Sequence, residues 1–141
     1  MAIDNARLMA KCATAHKTIT PQRLGILQAL PDDGRPMTAY SLRDQLMADS
    51  KRYNISTIYR VLDFWVSLGV VHKIDSTSAY MRCQDDHDHH LHVIQLCTEC
   101  QSVEEACAVS QALTLPSQPG FQPTPDQVIE LKGLCKDCRQ A

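Results

Sequence analysis

The residues best equipped for chemistry are sulfur and imidazole: seven cysteines and six histidines in 141 residues. Four of the cysteines form two Cys-x-x-Cys pairs, Cys97 with Cys100 and Cys135 with Cys138. A Cys-x-x-Cys turn points two thiolates at one centre, and two such turns complete a tetrahedral site. Four thiolates select a soft or borderline ion, of which zinc is the redox-silent choice. The competing reading is one redox dithiol with unrelated cysteines beside it. The 34 residues between the pairs, 101–134, exceed a small zinc ribbon. A metal there ties the last strand of a domain to its first, and with so small a core its loss should unfold that domain.

His72, Cys83, His90 and Glu105 make a second candidate set. Two imidazoles, a thiolate and a carboxylate can surround Zn²⁺ and leave the site formally neutral, so it can be partly buried. Its ligands come from both halves of the chain, so a metal would fix the orientation of one half against the other. Taken singly, each has a plainer reading: His72 as a structural histidine at a strand edge, Cys83 as a small apolar filler. Asp85, Asp86, His87, Asp88 and His89 form a run that attracts metal or serves as a solvated acidic linker, and His92 is a shifted alternative to His90. Cys12 and Cys107 have no partner at ligand spacing and read as buried or free thiols.

A catalytic set is missing from the sequence pattern: no Gly-rich phosphate loop, no nucleophile elbow, no His-Glu-x-x-His. A metal held by four protein ligands has no open position for a substrate, which argues against a zinc hydrolase. The expectation is therefore not an enzyme, with no small organic substrate.

The elements that must position these groups change in kind along the chain. Residues 3–16 read as a helix. Thr20-Pro21 starts another, with Thr at N-cap and Pro at N1. The turn residues 31–34 end it, and a third helix begins after Thr38. A fourth starts near 54–56 with an apolar stripe of Ile55, Ile58, Leu62, Trp65 and Val66, and stops at Gly69. Residues 70–74 and 79–83 are short extended runs about a turn at 75–78, a β-hairpin. Helices followed by a hairpin are the layout of a winged helix-turn-helix. On its polar side the fourth helix shows Ser56, Thr57, Tyr59 and Arg60, types suited to phosphate and base edges.

Beyond the hairpin come a strand (92–96), the first Cys-x-x-Cys turn, a strand (102–107), a short helix (109–115), a loop at 114–125 holding four of the seven prolines, and a last strand (127–131). The fold class is α+β: a winged-helix domain at 1–84, a hinge with metal ligands at 85–90, and a small metal-binding domain at 91–141. Charge divides the same way. Residues 1–84 carry 11 Lys/Arg against 7 Asp/Glu, a net of +4; residues 85–141 carry 3 against 9, a net of −6. A basic half suits a polyanion. No apolar run approaches the roughly 20 residues that span a bilayer, and polar Asp4, Asn5 and Arg7 stand where a signal peptide would need an apolar core. A cytoplasmic location without membrane contact is the simplest reading.

Thr20-Pro21-Gln22-Arg23, Ser56 to Leu62, Gly69 to Lys73 and the two Cys-x-x-Cys pairs, in that order over nearly the whole chain, resemble the ferric uptake regulator superfamily. The stretch from His72 to Cys83 resembles its zinc uptake regulator branch. The resemblance implies a homodimeric, zinc-responsive repressor with an N-terminal winged helix and a C-terminal dimerisation domain. It would bind AT-rich inverted repeats in duplex DNA and shut down zinc-uptake genes. It also implies two Zn²⁺ per chain. Cys97, Cys100, Cys135 and Cys138 would hold the structural ion; His72, Cys83, His90 and Glu105 would hold the sensing one. DNA-facing positions fall on Ser56, Thr57, Tyr59 and Arg60, with Arg23 and Tyr40 reaching the backbone. An iron- or peroxide-responsive regulator is the nearest alternative, although the thiolate of Cys83 favours zinc. A zinc-buffering or metal-delivery protein is the alternative from another class.

Overall fold

The computed structural model describes residues 5–84, 91–106, 109, 112–114, 116–123 and 127–140. They fall into two compact units, Met1–Cys83 and Gln84–Ala141.

Side-chain caps set the helices of the first unit. Helix α1 spans Asn5–Thr14 and stops short of the expected 16, where His16 turns left-handed (φ 55°). Helix α2 spans Pro21–Ala29; the Arg23 N–H donates to Thr20 Oγ1 at 3.2 Å, with Pro21 in the first turn. Thr38 caps α3 (Ala39–Ala48) by accepting from the Ser41 N–H at 3.1 Å. Asn54 does the same for α4 (Ile55–Ser67), accepting from the Thr57 N–H at 2.8 Å. Each cap satisfies an otherwise orphaned N–H and contributes about 1 kcal/mol. Helix α4 ends in a Schellman turn: Val70 donates to the Trp65 carbonyl and Gly69 to the Val66 carbonyl, both at 3.0 Å. Gly69 sits at φ 71°, a left-handed position that glycine adopts without strain.

The apolar stripe of α4 builds the core of this unit. Ile58, Leu62 and Trp65 are fully buried against Ile26 and Leu27 of α2 and Leu42 and Leu46 of α3. Trp65 would strand a donor there; instead its Nε1–H donates to the Arg23 carbonyl at 2.9 Å.

The hairpin is β2 (Val71–Ile74) and β3 (Ala79–Arg82), and a two-residue strand β1 (Met37–Thr38) joins it in the order β1-β3-β2. Strand β1 was not foreseen, because two residues carry no period. The antiparallel register pairs Val71 with Arg82 and His72 with Met81. Directly opposed residues share a face and neighbours alternate. One face therefore carries Val71, Lys73, Tyr80 and Arg82; the other carries His72, Ile74, Ala79, Met81 and, one step on, Cys83. Val71 and Tyr80 join the helical core, so the first face is the one turned to the helices.

The second unit is a mixed sheet of β4 (Leu91–Cys97), β5 (Val103–Glu105) and β6 (Gln127–Gly133) in the order β5-β4-β6, followed by the short helix α5 (Lys136–Arg139). Strand β5 is antiparallel to β4, and β6 is parallel to it. Strand β6 runs past the expected 131 because the parallel ladder continues until Gly133 faces Cys97. Helix α5 was not expected either; Cys135 caps it, its Sγ 3.5 Å from the Cys138 N–H. Much of the helix expected at 109–115 lies outside the described residues. No helix among the described residues is long and apolar enough to cross a membrane.

Trp65, the single tryptophan, reports on the α2–α3–α4 core. Leu62→Ala removes a fully buried side chain from that core and should destabilise it by about 2–5 kcal/mol, read as a lower urea midpoint of Trp65 fluorescence.

Candidate metal centres and DNA-facing surface

Strand register assembles the four-cysteine cluster. Parallel pairing sets Cys97 beside Gly133, and the Thr98 N–H donates to the Gly133 carbonyl at 2.8 Å. The second Cys-x-x-Cys turn thereby begins where the first one is. Ligand atoms of Cys97, Cys100, Cys135 and Cys138 lie within 4.8 Å of one another, and Cys100 Sγ is 3.8 Å from Cys135 Sγ. Tetrahedral Zn–S bonds of about 2.3 Å imply S···S edges of about 3.8 Å. The donor set fits zinc.

The electrostatics of the cluster call for a cation. Main-chain N–H groups of Cys100 and Cys135 stabilise the Cys97 thiolate and bring its pKa down to about 6. The Ser102 hydroxyl, 3.1 Å from Cys100 Sγ, holds the Cys100 pKa below its ordinary value. Cys138 is pushed up to about 12 because its proton is shared with Cys135, Cys97 and Cys100. Without an ion the four sulfurs cannot all be charged; a dication removes the conflict.

In the first unit, His72 is buried at 3% exposure and Cys83 is half-buried. They stand on one face of the hairpin with ligand atoms within 4.8 Å. The Cys83 N–H donates to the Val70 carbonyl at 2.9 Å, which extends the ladder by one residue and sets the Cys83 backbone.

In the second unit, Ile94 opposes Glu105 in the β4–β5 register. His92, two residues before Ile94, is then the diagonal neighbour of Glu105 on the same face. Its Nδ1 lies 3.2 Å from Glu105 Oε1, with both side chains buried. The other carboxylate oxygen, Oε2, accepts the Gln84 N–H at 2.8 Å. Two ligands on one zinc at about 2.0–2.1 Å stand about 3.3 Å apart, so this pair suits a metal edge as well as a hydrogen bond. His90, with the run 85–90, lies outside the described residues.

The surface of α4 presents exposed Ser56 and Arg60 and half-buried Thr57 and Tyr59. Tyr59 is wedged between two other tyrosines. Tyr40 stands edge-on at 6.4 Å between ring centroids, and Tyr80 is tilted at 6.4 Å. Tyr80 is fully buried, and burial, with help from Asp63, pushes its phenol up to about 12, so it stays neutral. Tyr40 is 53% exposed, with the Arg43 guanidinium 5.2 Å from its ring centre. The Arg23 guanidinium stacks 3.8 Å over the Phe64 ring and donates to the Thr18 carbonyl at 2.6 Å. These contacts hold the chain before Thr20-Pro21 against α4. Sequence reasoning missed Tyr80 and Arg82. Their shared parity on β3, opposite to that of Cys83, was the available signal.

A winged helix continued in the same chain by a cysteine-clamped mixed sheet defines a metal-binding winged-helix protein. The ferric uptake regulator family profile matches residues 15–112. The chain is 36% identical over 131 residues to the zinc uptake regulation protein of Escherichia coli K12, covering 90% of this chain and 76% of that one. It is 33% identical over 125 residues to the zinc uptake regulation protein of Mycobacterium tuberculosis, covering 85% and 93%. A zinc uptake regulator solved in complex with zinc and DNA superposes with a TM-score of 0.73 at 30% identity, covering 96% of this chain and 92% of that one. The chain belongs to the ferric uptake regulator family.

Cys135→Ser should remove about one bound zinc per chain and open the second unit to limited proteolysis, while Trp65 emission from the first unit stays native. Retention of the metal would reject the tetrathiolate assignment.

Proposed function

We propose that the chain is a zinc-responsive transcriptional repressor that binds AT-rich inverted repeats as a homodimer and silences zinc-uptake genes. The observation that carries this reading is the pairing of zinc-type donors inside each unit. His72 meets Cys83 on the hairpin, and His92 meets Glu105 on the β4–β5 sheet. In this reading the two pairs take one regulatory zinc between them, with His90 as the alternative imidazole. Thiolate, carboxylate and two neutral imidazoles balance the charge of Zn²⁺. The four-cysteine cluster takes the structural zinc.

When bound, the regulatory ion supplies a cross-link of hinge and hairpin and nothing redox. The chain's own residues do the rest. Arg60 and Ser56 meet base edges in the major groove, with Tyr59 oriented by Tyr40 and Tyr80. Arg23 and Tyr40 approach the phosphates. Exposed Leu131 and Leu134 close to the β6 edge support self-association through the second unit. Two reading heads one helical turn apart, about 34 Å, fit an inverted repeat.

Cys83→Ser should lose about one zinc per chain and the zinc-dependent component of operator binding, with circular dichroism unchanged. Arg60→Ala should lose specific binding while both zincs stay. Each is read by metal analysis and by fluorescence anisotropy on duplex DNA. Zinc-dependent binding that survives Cys83→Ser would reject the sensing assignment, and a normal footprint from Arg60→Ala would reject the reading helix.

A further inference from the structure

Helix α2 has no basic residue in its last turn, yet its C-terminal carbonyls are not left to water. The Arg82 guanidinium supplies the missing charge from β3, 55 residues away in sequence. Its Nε–H donates to the Leu27 carbonyl at 3.1 Å and its Nη2–H to the Gln28 carbonyl at 2.8 Å. A cation that donates to the last carbonyls is the favourable partner of a helix C-terminus. Arg82 is the residue immediately before Cys83. Strand alternation sends the two side chains to opposite faces of the hairpin: Cys83 joins His72, and Arg82 grips α2.

Helix α2 is in turn bound to α4. The Trp65 indole donates to the Arg23 carbonyl at 2.9 Å, and the Arg23 guanidinium stacks over Phe64 at 3.8 Å. A short chain of directional contacts thus runs from Cys83 through Arg82 to α2 and on to α4. Tyr80 has the same parity as Arg82 and backs Tyr59, so the hairpin touches α4 by a second route that is apolar and less directional.

We propose that Arg82 is the positioning residue that carries metal occupancy at His72 and Cys83 across the hairpin to the helices that read DNA. This rests on the repressor reading above. Metal capture fixes Cys83; the two Arg82 hydrogen bonds make α2, and with it α4, follow. Arg82 itself touches neither metal nor DNA in this scheme.

The test uses the full-length protein in three forms: wild type, Arg82→Met and Arg82→Lys. Methionine keeps the apolar stem and removes every donor; lysine keeps the charge but not the fork. The probe is a duplex selected from random DNA by the zinc-loaded wild type. Affinity is measured by anisotropy with the regulatory zinc present and again after a mild chelator has stripped it. Occupancy is followed separately by the thiolate absorption of Co²⁺-substituted protein. Arg82→Met should bind metal as the wild type does and keep its metal-free DNA affinity. Its zinc-dependent gain should fall about tenfold, within the usual range of allosteric coupling, with Arg82→Lys between the two. An unchanged gain overturns the proposal. So does an equal loss with and without zinc, which is what a merely structural arginine would give. If Arg82→Met does not fold, a wild-type gain in Arg82→Lys overturns it equally. A wild type that shows no zinc-dependent gain at all removes the repressor reading and this proposal with it. A normal wild-type gain that persists in both variants removes only this one.

Discussion

Like charge at short range is the constraint on which the second unit depends. Four sulfur atoms within 4.8 Å cannot be ionised together unless a cation lies among them. The main-chain N–H groups around Cys97 already favour a thiolate there, while hydrogen bonding to Cys135, Cys97 and Cys100 pushes the Cys138 thiol up to about 12. The sheet around them is thin: β5 has three residues, and Leu131 on β6 and Leu134 just after it are exposed. A unit of this size buries too little apolar surface to hold two separate turns in register by packing alone. An ion held there, as proposed above, and the β4–β6 ladder would therefore support each other. The ladder brings the turns together, and the ion would keep the ladder closed at its Cys97–Gly133 end.

Much of this architecture was legible in the sequence because local rules and global fold agree. Thr20-Pro21 and Gly69 mark helix ends by backbone chemistry that needs no tertiary context, and the stripe from Ile55 to Val66 finds its core where its period points. The Cys-x-x-Cys spacing carries its own geometry. What was not legible has physical causes of its own. Strand β1 exists because β3 offers it a partner, and the last two residues of β6 are strand because Cys97 stands opposite. Helix α5 depends on the Cys135 cap. The contact of His92 with Glu105 follows from a diagonal register between two strands, which sequence spacing does not encode. For the strands and for the His92–Glu105 contact, partners elsewhere in the sequence decided the outcome; for α5 a single local sulfur cap did.

The proposed reading surface on α4 shows why residue type alone underdetermines a DNA-facing role. Tyr59 and Arg60 are neighbours on α4 but differ in freedom. Arg60 is exposed and keeps its rotamers. Tyr59 is held between Tyr40 and Tyr80, so it loses little entropy on docking. Arg23 is different again: its guanidinium is engaged with Phe64 and the Thr18 carbonyl. A phosphate contact from Arg23 would share a cation already stacked. In the proposed DNA complex its larger effect would come through the set of the chain entering α2.

A two-faced hairpin suits a sensor because a β-strand separates its functions residue by residue. On β3 and the step beyond it, Met81 and Cys83 look one way while Tyr80 and Arg82 look the other, so a ligand can be placed on one face without disturbing the packing of its neighbour. Helices offer no such division at adjacent positions, since successive side chains there are turned by about 100° and share a surface. Linkage then requires only that the metal prefer the hairpin pose that the DNA-bound helices also prefer. A preference of a few kcal/mol changes DNA affinity by about a hundredfold, and by reciprocity DNA tightens the metal by the same factor. Such a preference can be built from a pair of charge-assisted hydrogen bonds at a helix end together with one aromatic contact. That is the scale of the interactions observed between β3 and helices α2 and α4.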